Sequence, residues 1–184
     1  MDFTKPELEA VLFAASRDGS RFNLNGVLVE KARIVATDGH RLHMIDAGED
    51  VLPSEVPSKP VILARTDLVD LQRSIKNGDR VTMKPDPEVR GSELVRVLVA
   101  DGKHSDVAVI DGEYPKYRDV LKSTDGKPVA TITINAHYLK DACMAVIKAG
   151  GHRGSAMKLE VFDELSPIRI TAGPVTCVLM PMRA

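Results

Sequence analysis

Apolar residues recur along this chain with two alternating periods, and the alternation itself is repeated. Leu8, Val11, Leu12 and Ala15 fall at i, i+3, i+4 and i+7, which predicts a one-sided helix, with Pro6 comfortable in its first turn. The runs Gly26–Glu30 and Ala32–Ala36 that follow read as strands. Pro60–Leu63 is an apolar strand leading into a helix through Leu68, Leu71 and Ile75 that stops at Asn77-Gly78. Strands are expected next over Arg80–Met83, Leu94–Val99 and Asp106–Ile110, with turns such as Asp101-Gly102 between them. A third round begins at Ala130–Ile134, which alternates as a strand. Its helix runs from Asn135 through Leu139, Ala142, Cys143 and Val146 to Gly150-Gly151. Met157–Phe162, Ile168–Ile170 and Thr176–Met180 complete it as strands.

In each round an apolar strand residue (Phe3, Leu63, Ile134) stands five positions before a helical leucine (Leu8, Leu68, Leu139), at spacings of 60 and 71 residues. The chain is therefore an α+β molecule of three strand-helix-strands units. One helix on a small sheet cannot bury both of its faces, so each unit needs another, and three is an odd number.

Composition narrows the picture. A chain of 184 residues, 43% hydrophobic and 28% charged, can build one globular domain or two small ones. No apolar run approaches the roughly 18 residues of a membrane span and no signal segment opens the chain, so a cytoplasmic location without membrane is expected. Cys143 and Cys177 form neither a CxxC motif nor a disulfide framework and are expected as buried small hydrophobes. The net charge of −1 is not that of a strongly basic nucleic-acid binder, so any DNA contact must use a local patch. Residues 127–184 carry a net +3 and the preceding residues −4. Three Tyr, four Phe and no Trp make no stacking ladder for a single strand.

Candidate chemistry is sparse. Asp38-Gly39 in Thr37–Leu42 is a turn signal between strands. His40, His43 and His137 have no cysteine nearby and alternate across strand faces, which disfavours a metal site. A hydrolase built on Asp38, His40 and His43 would need such a metal, and neither cofactor nor catalysis is expected. No phosphate-binding glycine motif occurs, Gly150–Gly154 being a connector. The acids between Asp46 and Asp50 read as solvated loop charge. Val178–Met182 is either a last core strand or part of a pocket, since Pro181 and Met182 follow the strand.

Three runs carry a family resemblance: Val35-Ala36-Thr37-Asp38-Gly39-His40-Arg41-Leu42, Asp111-Gly112-Glu113-Tyr114-Pro115-Lys116-Tyr117-Arg118-Asp119-Val120-Leu121 and Val178-Leu179-Met180-Pro181-Met182-Arg183. Together the chain resembles the bacterial sliding clamp, the beta subunit of DNA polymerase III, over nearly its whole length. Members of that family have three domains, each of two strand-helix-strands halves, and two chains close head to tail around duplex DNA. Residues 1–126 resemble the middle domain and residues 127–184 the second half of the last domain. The implied fold is the DNA clamp fold, one full clamp domain plus a half.

The resemblance also implies a site. In that family a pocket for short partner peptides lies between the middle domain and the second half of the last. Carried over by motif, one wall is Leu24, Thr37, Gly39, His40, Arg41, Leu42, Pro115 and Val120. The other is Asn135, Tyr138, Val178, Leu179, Met180, Pro181, Met182 and Arg183. Leu, Val, Met and Pro suit an apolar anchor, while His40, Arg41 and Arg183 can hydrogen-bond a peptide backbone or amide. Asp119 stands where the most familiar members carry Arg. On the helices that would face DNA, the candidates for phosphate are Lys5, Arg17, Arg21, Arg65, Arg73, Lys76, Lys140 and Lys148, with Arg153 beside them.

The implied function is that of a processivity factor. It tethers a DNA polymerase or repair protein carrying a clamp-binding motif to double-stranded DNA without reading sequence, and a clamp loader opens the ring. A family ring holds twelve half-domains, so a homo-oligomer of four chains would supply them. The alternative is an adaptor or decoy that binds clamp-binding peptides without encircling DNA.

Overall fold

The structure is a computed structural model that describes residues 2–46, 59–76, 78–84, 94–99, 104–128, 130–149 and 156–182. The chain divides into two compact units, Met1–Leu121 and Lys122–Ala184.

In the first unit, strand β1 (Asp2–Thr4) runs directly into helix α1 (Lys5–Leu12). Thr4 and Glu7 form a capping box: the Glu7 amide donates to Thr4 Oγ1 (3.4 Å) and the Thr4 amide to Glu7 Oε2 (2.8 Å). The helix ends earlier than the apolar spacing suggested. Ala14 and Ala15 instead donate to Val11 and Leu12, a tighter turn that keeps both alanines buried. Strands β2 (Gly26–Glu30), β3 (Arg33–Thr37) and β4 (Leu42–Asp46) follow, the last of them unassigned from the sequence. The second repeat supplies β5 (Val61–Ala64), α2 (Arg65–Ser74), β6 (Arg80–Lys84), β7 (Leu94–Val99) and β8 (His104–Ala108). Gly78 takes φ +96° beyond α2. Asn77 and the Asp101-Gly102 turn lie outside the described residues.

The two repeats exchange their leading strands. The sheets run β4-β3-β2-β5 and β1-β6-β7-β8, so β5 of the second repeat pairs with β2 of the first, while β1 pairs with β6. Both pairings are antiparallel, with Leu63 opposite Val27 and Phe3 opposite Val81. The far side of β5 meets the end of its own repeat, where the Ile110 amide donates to Ile62 O (2.8 Å). Helix α1 packs on α2, and one core joins them to both sheets through Phe3, Leu8, Val27, Leu63, Leu68 and Val81. Sheet β4-β3-β2-β5 is covered on its other face too. There Leu28, Val35 and Ile62 pack against Tyr117 of α3 (Tyr117–Lys122), which explains why β2 is buried throughout.

The second unit is the third repeat. Helix α4 (Ala136–Ala149) lies on β10 (Ile168–Ala172) and β11 (Val175–Leu179), in a sheet ordered β11-β10-β9 with β9 (Lys158–Glu160) at the edge. Its core is Ala142, Val146, Ile168, Ile170 and Leu179. The strand expected over Ala130–Ile134 joins no ladder among the described residues. Cys143 and Cys177 are half-buried free thiols, more open than the sequence suggested.

Candidate functional site

The corner between β3 and β4 is built by its own side chains. Thr37 Oγ1 donates to Arg41 O (2.7 Å) and accepts from the Gly39 amide (3.1 Å). Asp38 Oδ1 accepts from the amides of His40 (3.0 Å) and Arg41 (3.1 Å), and Asp38 Oδ2 from Arg41 Nε (3.0 Å). Burial alone would raise the Asp38 pKa, but these donors outweigh it and hold the carboxyl below its ordinary value. Gly39 makes the reversal possible at φ +89°, a conformation that disfavours a side chain.

Facing this corner is the segment from Asp111 to α3, anchored at several points. Asn23 Nδ2 donates to Glu113 O (2.9 Å), Tyr114 OH to Val35 O (3.3 Å), and Tyr117 OH to the buried Glu30 carboxylate. Arg118 Nη2 reaches the same Glu30 oxygen at 2.6 Å. Burial opposes ionisation of Glu30, yet the Tyr117 and Arg118 hydrogen bonds prevail and lower its pKa. Burial pushes the Tyr114 phenol well up.

Between corner and segment lies a cavity of about 310 Å³. It is lined by every first-unit position carried over from the resemblance: Leu24, Thr37, Gly39, His40, Arg41, Leu42, Pro115 and Val120. Lys116 and Tyr117 line it as well and were missed. Tyr117 sits in a run already singled out, and the signal that could have found it is an aromatic placed to face inward from a short helix. The surface is apolar at Leu24, Leu42, Pro115 and Val120 and polar at His40 and Arg41. A more polar hollow adjoins it, sharing His40 and Arg41 and adding Arg17, Arg21, Asp18 and Asp38. His43 is not part of either: its ring Nδ1 lies 2.6 Å from Ala10 O, against α1.

The second-unit candidates are described by themselves. Tyr138, Val178, Met180 and Met182 are exposed, while Asn135 and Pro181 are half-buried. Leu179 is turned into the core, so it cannot be changed to a charged residue without cost to the fold. Asn135 Oδ1 accepts from the His137 amide (2.9 Å) at the start of α4. Arg183 lies outside the described residues.

Among the phosphate candidates, Lys5 Nζ donates to Ile75 O at the end of α2 (2.7 Å), Arg21 to Asp38 O (3.3 Å), and Arg73 pairs with Asp70 (3.2 Å). Burial and the nearby guanidiniums of Arg17 and Arg73 lower the Arg65 pKa, which marks a local concentration of positive charge. Lys76 is exposed beyond α2, Lys140 and Lys148 are exposed on α4, and Arg153 lies outside the described residues.

Residues 2–116 match the family model described as DNA polymerase III beta subunit, central domain. The chain belongs to this family. The Beta sliding clamp of Escherichia coli strain K12 is 32% identical over 137 residues, covering 69% of this chain and 35% of that protein. The Beta sliding clamp of Haemophilus influenzae is 29% identical over 182 residues, 94% of this chain and 46% of that one. This family member thus spans between a third and a half of the curated relatives' length. Among solved structures, a sliding clamp from Pseudomonas aeruginosa bound to griselimycin superposes with a TM-score of 0.66 at 21% identity, covering 100% of this chain and 50% of that one. A second structure of the beta subunit from that organism gives 0.60 at 18% identity, over 66% of its length. These likenesses establish the fold as that of DNA clamps. Among the described residues no helix is long and apolar enough to cross a membrane.

Proposed function

We propose that this chain is a non-catalytic, clamp-type processivity factor whose cavity grips a short segment of a DNA polymerase or repair protein. The observation that carries the reading is the 310 Å³ hollow between Thr37–Leu42 and Pro115–Val120. Its size suits one large apolar side chain and its neighbours rather than a whole protein surface. An apolar anchor enters between Leu42 and Val120, and the His40 and Arg41 groups bond the peptide main chain at the mouth. Lys and Arg on the helices attract duplex DNA through its phosphates without reading bases, in a cytoplasmic setting with a loader and a closed homo-oligomer.

A fluorescent peptide with a Leu-Phe anchor tests the site by anisotropy. Val120→Asp places a charge in an exposed position of the wall and lowers affinity at least tenfold with an unchanged circular dichroism melt; unaltered affinity removes the cavity from the function. Met180→Glu asks the same of the second-unit residues. Retention on circular but not linearised DNA supports encirclement. Peptide binding without any DNA association supports instead the adaptor reading.

A further inference from the structure

The first unit displays, within one chain, what a repeat of this kind needs from its partner. Each repeat gives its leading strand to the first strand after the other repeat's helix, and each helix packs on the other's. The third repeat has the same parts without the exchange. Its leading segment is bonded on one side, where Thr133 O accepts from the Met182 amide (2.8 Å), as Ile62 O accepts from Ile110 in the second repeat. The side that in β5 meets β2 has no ladder partner among the described residues.

The consequences are legible in burial. Phe3, Leu63, Leu8 and Leu68 are sealed in the first unit, whereas their counterparts Ile134 and Leu139 are only half-buried. Leu159 is opposite the fully buried Ile170 and therefore points to the same face of the sheet, yet it is 48% exposed, β9 having no second ladder partner among the described residues. It is the counterpart of Val27 and Val81, the residues that receive Leu63 and Phe3. Val161, two residues on, is 39% exposed, and Met144 and Ile147 of α4 are exposed as well.

We infer that two copies of this chain associate through their third repeats. Each copy adds its segment 130–135 antiparallel to the partner's β9, with Ile134 opposite Leu159, and α4 packs on its symmetry mate. The register is self-consistent. It sets Ile132 opposite Val161 on the core face and Asn135 and Thr133 opposite Lys158 and Glu160 on the other, so no like charges meet. Segment 130–135 carries no charge at all, and Lys158 and Glu160 are already paired, Glu160 also holding Arg169 (2.7 Å). A two-fold axis satisfies both edges at once, which one donated strand from an unrelated protein would not do. This goes beyond the peptide-binding reading and does not rest on it.

Light scattering of the full chain at tens of micromolar is expected to give twice the 20.0 kDa of one chain, or four times where the pairs also close a ring. Leu159→Lys, at a position already half-exposed, halves that mass while leaving the circular dichroism spectrum intact. Ile134→Cys combined with Leu159→Cys, in a chain with Cys143 and Cys177 replaced by Ser, yields a covalent dimer on a non-reducing gel after oxidation. A single-chain mass for the unaltered protein overturns the inference. So does an oligomer that survives Leu159→Lys unchanged, or an absence of cross-linking in the paired-cysteine variant.

Discussion

At the scale of single residues, the walls of the cavity are held by groups that do not themselves line it. Glu30 is buried and one of its oxygens accepts from both Tyr117 and Arg118, so removing its charge weakens two charge-assisted hydrogen bonds while leaving an acceptor in place. Glu30→Gln is expected to destabilise the first unit by about 1.5–3 kcal/mol, the range for a hydrogen bond to a charged group, measured by urea denaturation. It should also weaken the anchor peptide, since Tyr117 is part of the lining. Gly26 is a second such point. A Cβ there would sit 2.5 Å from Ile62 Cγ2 and 2.8 Å from Leu63 O, and the carbonyl belongs to the β2–β5 ladder and cannot retreat. Gly26→Ala should therefore cost about 1–3 kcal/mol, as overpacking of a filled site does.

At the scale of elements, the repeat was legible because helix and strand periods are strong local signals. The positions of Leu8, Leu68 and Leu139 on one face follow from 3.6 residues per turn whatever surrounds them. Strand β4 and helix α3 were not assigned because their stability is borrowed. β4 is a half-buried strand held by β3 and α1, and α3 is six residues fixed by Glu30. For the same reason the segment 130–134 reads as a strand in isolation but has no ladder, since pairing is a property of two segments and not of one. The cap of α1 is local and should behave so: Thr4→Ala is expected to lower stability by about 1 kcal/mol, checked by thermal melting, with little effect on peptide binding.

At the scale of the whole molecule, several carboxyls have depressed pKa values in the folded state: Asp18, Glu30, Asp38, Glu160 and Asp163. Glu160, beside Arg169 and Lys158, is brought down to about 2. Such groups bind protons more readily when unfolded, so their contribution is present above the ordinary carboxylate range and is lost as pH falls through the folded values. The melting temperature is expected to hold between pH 7 and 5 and to fall progressively below about pH 4, with salt blunting the exposed pairs most. A melting temperature that rises on acidification contradicts this. Glu30 is one of these groups, its carboxyl lowered by the Tyr117 and Arg118 hydrogen bonds against the opposing effect of burial, and Glu30→Gln should remove its share of the acid limb.

The amino-acid sequence alone determined the α+β class, the three repeats and the residues of the β3–β4 corner, because these depend on period, turn chemistry and short motifs encoded within a few residues of one another. It also supplied the first-unit wall, through runs whose order is diagnostic of the family. Only the tertiary structure decided that the repeats trade leading strands, that Tyr117 and Glu30 brace the cavity from behind, that Leu179 faces a core, and that Ile134 and Leu159 remain open. Each of those depends on which distant segment comes to lie alongside, and burial or pairing across such separations leaves no mark in the local pattern.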